Sequence, residues 1–147
     1  MRTRRVANRL EARTFLDPGC RLEGVRVVHY PAVGGESASS EASVLATQVD
    51  VADSITSQAR GLMGRRSIPD SYALAFRFGR TKTRDVHMLF VFFPIDVVWV
   101  VDGVVERVER LRPWLGFARA TADLIVELPA GTADDVEPGD RLRLEDD

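Results

Sequence analysis

Apolar and polar positions along this chain recur mostly with the period of a β-strand. Val25-Arg26-Val27-Val28-His29-Tyr30 opens the pattern, and Leu45, Thr47, Val49 and Val51 alternate with Ala46, Gln48 and Asp50 as in a half-buried strand. Ala73–Phe78, Val86–Phe93, Asp96–Val101, Leu124–Leu128 and Arg141–Leu144 supply further runs. Pro94 must bend or end the strand that carries it. Asp102-Gly103 is a two-residue hairpin signal. Val104, Val105, Val108 and Leu111 also fit a helical period, but the preceding turn and the β-branched content favour a strand. One segment is helical in period: Ile55, Ala59, Leu62 and Met63 fall on one face of a short helix over about residues 54–63, with Gly64 suited to its C-terminal cap. Seven or eight short strands and one helix predict a mainly β protein, a β-sandwich or barrel.

A chain of 147 residues fits one domain, expected over residues 25–147. Residues 1–24 carry no sustained apolar period, so they are expected to be a disordered basic extension. A true start near Val25, where strand-like sequence begins, is an alternative. The first 26 residues hold seven arginines and the last 14 hold seven carboxylates, yet net charge is only −2. Total charge therefore gives no reason to expect nucleic-acid binding. The longest apolar run, Val86 to Val101, is broken by Pro94 and Asp96, so no membrane span is expected. The basic N-terminus is not followed by the apolar core of an export signal, and a cytoplasmic location is the default. Cys20 is the single cysteine, which excludes an internal disulfide.

Four linked motifs carry a resemblance. They are Arg60-Gly61-Leu62-Met63-Gly64-Arg65; Val86-His87-Met88 with Phe93-Pro94-Ile95-Asp96-Val97-Val98; Leu111-Arg112-Pro113-Trp114; and Glu127-Leu128-Pro129-Ala130-Gly131 with Gly139-Asp140. In order and spacing they resemble the uncharacterized ACR family, domain of unknown function 192, over roughly residues 44–145. The resemblance implies a jelly-roll-like sandwich with one helix and supplies no activity. His87-Met88-Leu89-Phe90-Val91 stands where the commonest family pattern has Trp-Met-Lys-Asn-Thr, so this chain resembles the branch with histidine before the central methionine. No role of the Lys-Asn pair can be transferred.

The candidate chemistry lies in charged residues within apolar surroundings. A hairpin at Pro94 would bring His87 beside Asp96, where a carboxylate could orient the imidazole for general base chemistry. A lone strand histidine lacks the further ligands a metal needs, so neither metal nor cofactor is expected. Asp96 and Glu127 each interrupt a run of apolar residues, and a buried carboxylate must be paired or hydrogen-bonded. Arg60 and Arg112 are the expected partners of Asp96. Either Arg60, His87, Asp96, Arg112 and Glu127 gather round a polar pocket, or they are ion bridges that fix the helix to the sheet. Trp99 is expected in the core, and Trp114 is the better candidate for an exposed stacking ring. The reading is a monomeric, non-catalytic module that binds a small molecule or a protein. The alternative is a hydrolase-type enzyme using His87 with Asp96 or Glu127.

Overall fold

The computed structural model describes residues 20–21, 24–33, 41–52 and 61–147. Its strands are β1 (Cys20–Arg21), β2 (Val25–Tyr30), β3 (Ser43–Ala46), β4 (Gln48–Ala52), β5 (Tyr72–His87), β6 (Ile95–Val101), β7 (Val104–Leu111), β8 (Phe117–Pro129) and β9 (Arg141–Asp146). They form one mixed sheet in the order β1-β4-β5-β8-β6-β7-β9-β2-β3, in which β4 and β5 are parallel and the other pairs antiparallel. The mainly β character matches expectation. By hydrogen-bond pairing the strands belong to a single open mixed sheet.

That sheet buries both of its faces. On one, Val98 and Val100 of β6 and Val126 and Leu128 of β8 pack with Val49 and Val51 of β4 and with Val25 and Val27 of β2. Strands β4 and β2 stand far apart in the sheet order, so the sheet rolls over to bring them into one core. On the other face, Ile95, Val97 and Trp99 of β6 and Ile125 of β8 pack with Tyr72, Leu74 and Phe76 of β5. Leu62, Met88 and Val91, outside the strands, cover this second core. Strand β6 is therefore buried at every position from Ile95 to Val100. Its apolar run, interrupted only by Asp96, is the mark of a strand covered on both sides.

The Asp102-Gly103 turn joins β6 to β7, with Val101 opposite Val104 and positive φ at both turn residues (49° and 79°). Two positive φ angles in sequence match the right-handed twist of the flanking strands. The ambiguous segment after it is a strand, as the β-branched content implied. Elsewhere the boundaries move. Residues 79–85, between the expected runs Ala73–Phe78 and Val86–Phe93, lie within the long strand β5, and the last residues of the second run leave the sheet. Trp99 lies fully within the second core, as expected.

Among the described residues there is no helix. The helix expected over 54–63 lies outside them up to residue 60, and residues 61–64 form turns. Most of the expected N-terminal extension also lies outside the described residues, although Cys20–Arg21 pairs with Val51 and Asp50 at the sheet edge.

Leu62 is nevertheless buried against the second core. Leu62→Ala is expected to destabilise the fold by about 2–4 kcal/mol in chemical denaturation. A loss below about 0.5 kcal/mol would place the residue at the surface.

Candidate functional site

The two carboxylates embedded in the central strands meet opposite fates, because side chains alternate across a strand. Asp96 lies opposite Leu128, and Glu127 lies opposite Val97, so they point to opposite faces of the sheet. Asp96 turns toward the core shared by Val98 and Leu128 and is only 2% exposed. It accepts bonds from Arg110 Nε at 2.8 Å and Arg110 Nη2 at 3.3 Å, and from the backbone N–H groups of Gly131 at 2.9 Å and Ala133 at 3.0 Å. Four donors fill the acceptor sites of a carboxylate. Asp96 thereby ties β6 to β7 and to the turn after β8, while Arg110 extends the network to Asp134. It is a brace.

Glu127 turns the other way, into the core of Phe76, Ile95 and Ile125, and is 7% exposed. Among the described residues no group donates to its carboxyl or pairs with it. Burial pushes its pKa up to about 8 from an ordinary value of 4.5. The acid is thus largely protonated at neutral pH, a state that spares the cost of an unpaired buried charge. Glu127 borders a cavity of about 110 Å³ whose other walls include Leu62, Phe76, Met88 and Val91, with Asp85 and His87 as further polar members.

His87, at the end of β5, stands opposite Phe117 of β8 and is exposed. The expected contact between His87 and Asp96 does not form. Strand β8 lies between β5 and β6, so Pro94 does not close a hairpin between the histidine and the aspartate. In place of the expected pairing of Asp96 with Arg112 stands Arg110, which lies opposite Asp96 on the neighbouring strand. Arg112 is exposed, and no ion pair of Arg112 occurs among the described residues. Arg60 lies outside them. Of the expected group of five, the structure brings His87 and Glu127 to one cavity and sets Asp96 and Arg112 apart from it.

A second buried polar group was not anticipated. His29 lies on β2 between β9 and β3 and is 2% exposed. Its Nε2 is 2.7 Å from Asp140 Oδ2, and Asp140 also accepts from the backbone N–H groups of Ala32 and Glu137 at 2.9 Å each. Burial raises the Asp140 pKa, but the N–H donors of Ala32 and Glu137 and the His29 ring outweigh it and hold the carboxyl below its ordinary value. Ser43 Oγ lies 3.4 Å from His29 Nδ1, outside the hydrogen-bond reach of an activated nucleophile. This trio braces β2 against the turn that leads into β9. The signal in the sequence was Asp140 in a Pro-Gly-Asp turn, where an aspartate commonly bonds to backbone.

Beside the cavity, two loops interlock. Met88 N–H bonds to Gly116 O at 2.9 Å, Trp114 N–H to Val91 O at 3.2 Å, and Gly64 N–H to Phe90 O at 2.9 Å. A Cβ on Gly116 would stand 2.7 Å from Arg112 O and 2.8 Å from Leu111 Cβ, so only glycine permits this approach. Phe90 and Trp114 hold positive φ (60° and 66°), a conformation that costs bulky residues free energy. Trp114 is exposed, as expected, and packs edge-on against Phe90 and Phe92 at centroid distances of 5.3 and 5.2 Å. Among the described residues no three His, Cys, Asp or Glu side chains converge as metal ligands would.

Two outcomes follow for the carboxylates. Asp96→Asn places an amide where backbone donors point and is expected to cost about 2–4 kcal/mol. Arg110→Ala removes two of the four donors and the countercharge of a buried carboxylate and should cost a similar amount. Losses below about 0.5 kcal/mol in both variants, the level of a surface change, would contradict the brace. For Glu127, the folded pKa stands above the unfolded one, so folding takes up a proton between about pH 4.5 and 8. Stability is then greatest below that window and falls as pH rises through it, by roughly 4–5 kcal/mol in total. Glu127→Gln should abolish this decline, and its stability advantage over the native protein should widen from acid to pH 8. Parallel stability–pH curves would contradict an unpaired buried acid.

No curated protein matches the chain. Among solved structures, a candidate transcription regulator from Sinorhizobium meliloti 1021 superposes with a TM-score of 0.68 at 24% identity, over 82% of this chain and 93% of the other. A protein of unknown function from Novosphingobium aromaticivorans DSM 12444 superposes with a TM-score of 0.67 at 21% identity, over 80% of this chain and 83% of the other. At these identities the likeness is one of fold. The family model DUF192, Uncharacterized ACR, matches residues 37–144, which include the rolled sheet from β3 through most of β9, the interlocked loops and both carboxylates. The chain belongs to the uncharacterized ACR (DUF192) family.

Proposed function

We propose that this protein is a cytoplasmic, monomeric module that binds a small ligand without transforming it, through the cavity that His87 and Glu127 share. The observation that carries this reading is the Glu127 carboxyl, buried on a cavity wall with no partner among the described residues. A cavity of about 110 Å³ is far smaller than the several hundred Å³ typical of metabolite pockets, and it fits the head of a ligand better than a whole molecule. A compact cation, an ammonium or guanidinium group, would suit it best. Such a head would give Glu127 the partner it lacks, and Asp85 adds a second acid to the lining.

A second reading has its own support. A carboxyl poised near neutrality beside a histidine is the environment of a general acid–base pair, so a hydrolase-type activity using His87 with Glu127 is the alternative. The version that uses Asp96 has no support, because four bonds hold that carboxylate on the opposite face.

Calorimetric titration with n-butylammonium and with guanidinium tests the binding reading. Binding should tighten from pH 6 to pH 9 as Glu127 ionises, by roughly tenfold per pH unit until the pKa is passed, and Glu127→Gln should lose it. Unchanged binding in Glu127→Gln would overturn the reading. Ester or amide turnover that is lost in His87→Ala would favour the enzyme instead.

A further inference from the structure

Among the described residues, six of the eight large apolar side chains that stand exposed belong to two adjoining segments. They are Leu89, Phe90 and Phe92 from the loop after β5, and Trp114, Leu115 and Phe117 from the loop that enters β8. Their exposures run from 44% for Trp114 to 79% for Leu115. Scattered apolar residues need no explanation, but a contiguous patch on a soluble domain marks an interaction surface. The patch is also built to stand out. The positive φ at Phe90 and Trp114 and the close approach at Gly116 hold the two loops against each other.

Within the segments that carry the patch and meet it, the charged side chains are basic. Residues 61–69, 86–95 and 111–122 contain no Asp or Glu, although the chain as a whole has a net charge of −2. Arg66 and Arg112 are exposed on the loops that meet here. Arg119 lies 5.7 Å from the Phe117 ring, and its charge is shared with Asp85 at 3.0 Å.

We propose that these loops dock the protein on the surface of an anionic phospholipid bilayer, with Leu89, Phe92, Trp114 and Leu115 entering the headgroup boundary and Arg66 and Arg112 meeting lipid phosphates. The mixture of groups selects this partner. Aromatic rings settle at the headgroup level, aliphatic tips reach the acyl boundary, and basic residues answer the negative surface. A second copy of the chain fits less well, since a two-fold contact would set Arg66 and Arg112 of one patch against those of the other. A single-stranded nucleic acid would stack on rings, but Leu89 and Leu115 offer no stacking face.

Sedimentation of the full chain with vesicles of phosphatidylcholine, with and without phosphatidylglycerol, tests the inference. The chain should pellet with the anionic vesicles and remain in the supernatant with neutral ones, and added salt should weaken the association. Leu115→Ser should lower the partition coefficient roughly tenfold, as expected for withdrawing a leucine side chain from the boundary. Arg112→Gln should lower it about fivefold. Both side chains are exposed, so thermal melts of both variants should match the native protein. Failure to pellet with anionic vesicles would overturn the proposal, as would association untouched by Leu115→Ser. A concentration-dependent dimer abolished by Leu115→Ser, or binding of single-stranded oligonucleotide in preference to vesicles, would overturn it in favour of that partner.

Discussion

The constraint on which the rest of this structure depends is that β6 and the Ile125–Leu128 end of β8 are covered on both faces. A sheet with one wet face can turn its polar residues to water. These two strands cannot, because the rolled sheet closes over one side, and Leu62 with the Met88 and Val91 loop closes over the other. Every polar group on them needs a local solution. Asp96 and Glu127 show the two solutions available to a carboxyl. One keeps its charge and gathers four donors, and the other keeps its burial and gives up its charge.

The two solutions have different consequences. The Asp96 network links β6, β7 and the turn after β8, so its work is complete within the fold. The Asp140 network does the same for β2 and β9. Glu127 stabilises nothing by comparison. A glutamine of the same shape would relieve the desolvation cost. The aromatic loops follow a similar logic, since Phe90 and Trp114 hold left-handed backbone and present apolar surface to solvent. In both places local stability is given up near open space, which is where function is usually found.

Much of the sheet was legible in the sequence because alternation and turn chemistry are local signals. Val25–Tyr30, the Asp102-Gly103 hairpin and the apolar run of β6 each declare themselves within a few residues. Pairing is not local. Nothing in the sequence near Pro94 reveals that β8 inserts between β5 and β6, and that one fact separates His87 from Asp96. The partner of Asp96 was missed for the same reason, since Arg110 is its neighbour only once the register of β6 and β7 is known. Glu127 could be recognised as a problem, because a carboxylate within Leu124-Ile125-Val126-Glu127-Leu128 must be resolved somehow. Its direction, away from Asp96 and toward His87, depended on a one-residue phase in the strand pairing.

The central claim is that Glu127 is an uncharged acid in the folded protein at neutral pH. Carbon-13 NMR of the side-chain carboxyls, with Glu127 assigned by its absence in Glu127→Gln, reads that state directly. The account predicts a Glu127 resonance that titrates with a midpoint near 8 while the protein remains folded. A midpoint near the ordinary 4.5 would show a charged and solvated carboxylate, and would contradict both the unpartnered acid and the cavity reading built on it.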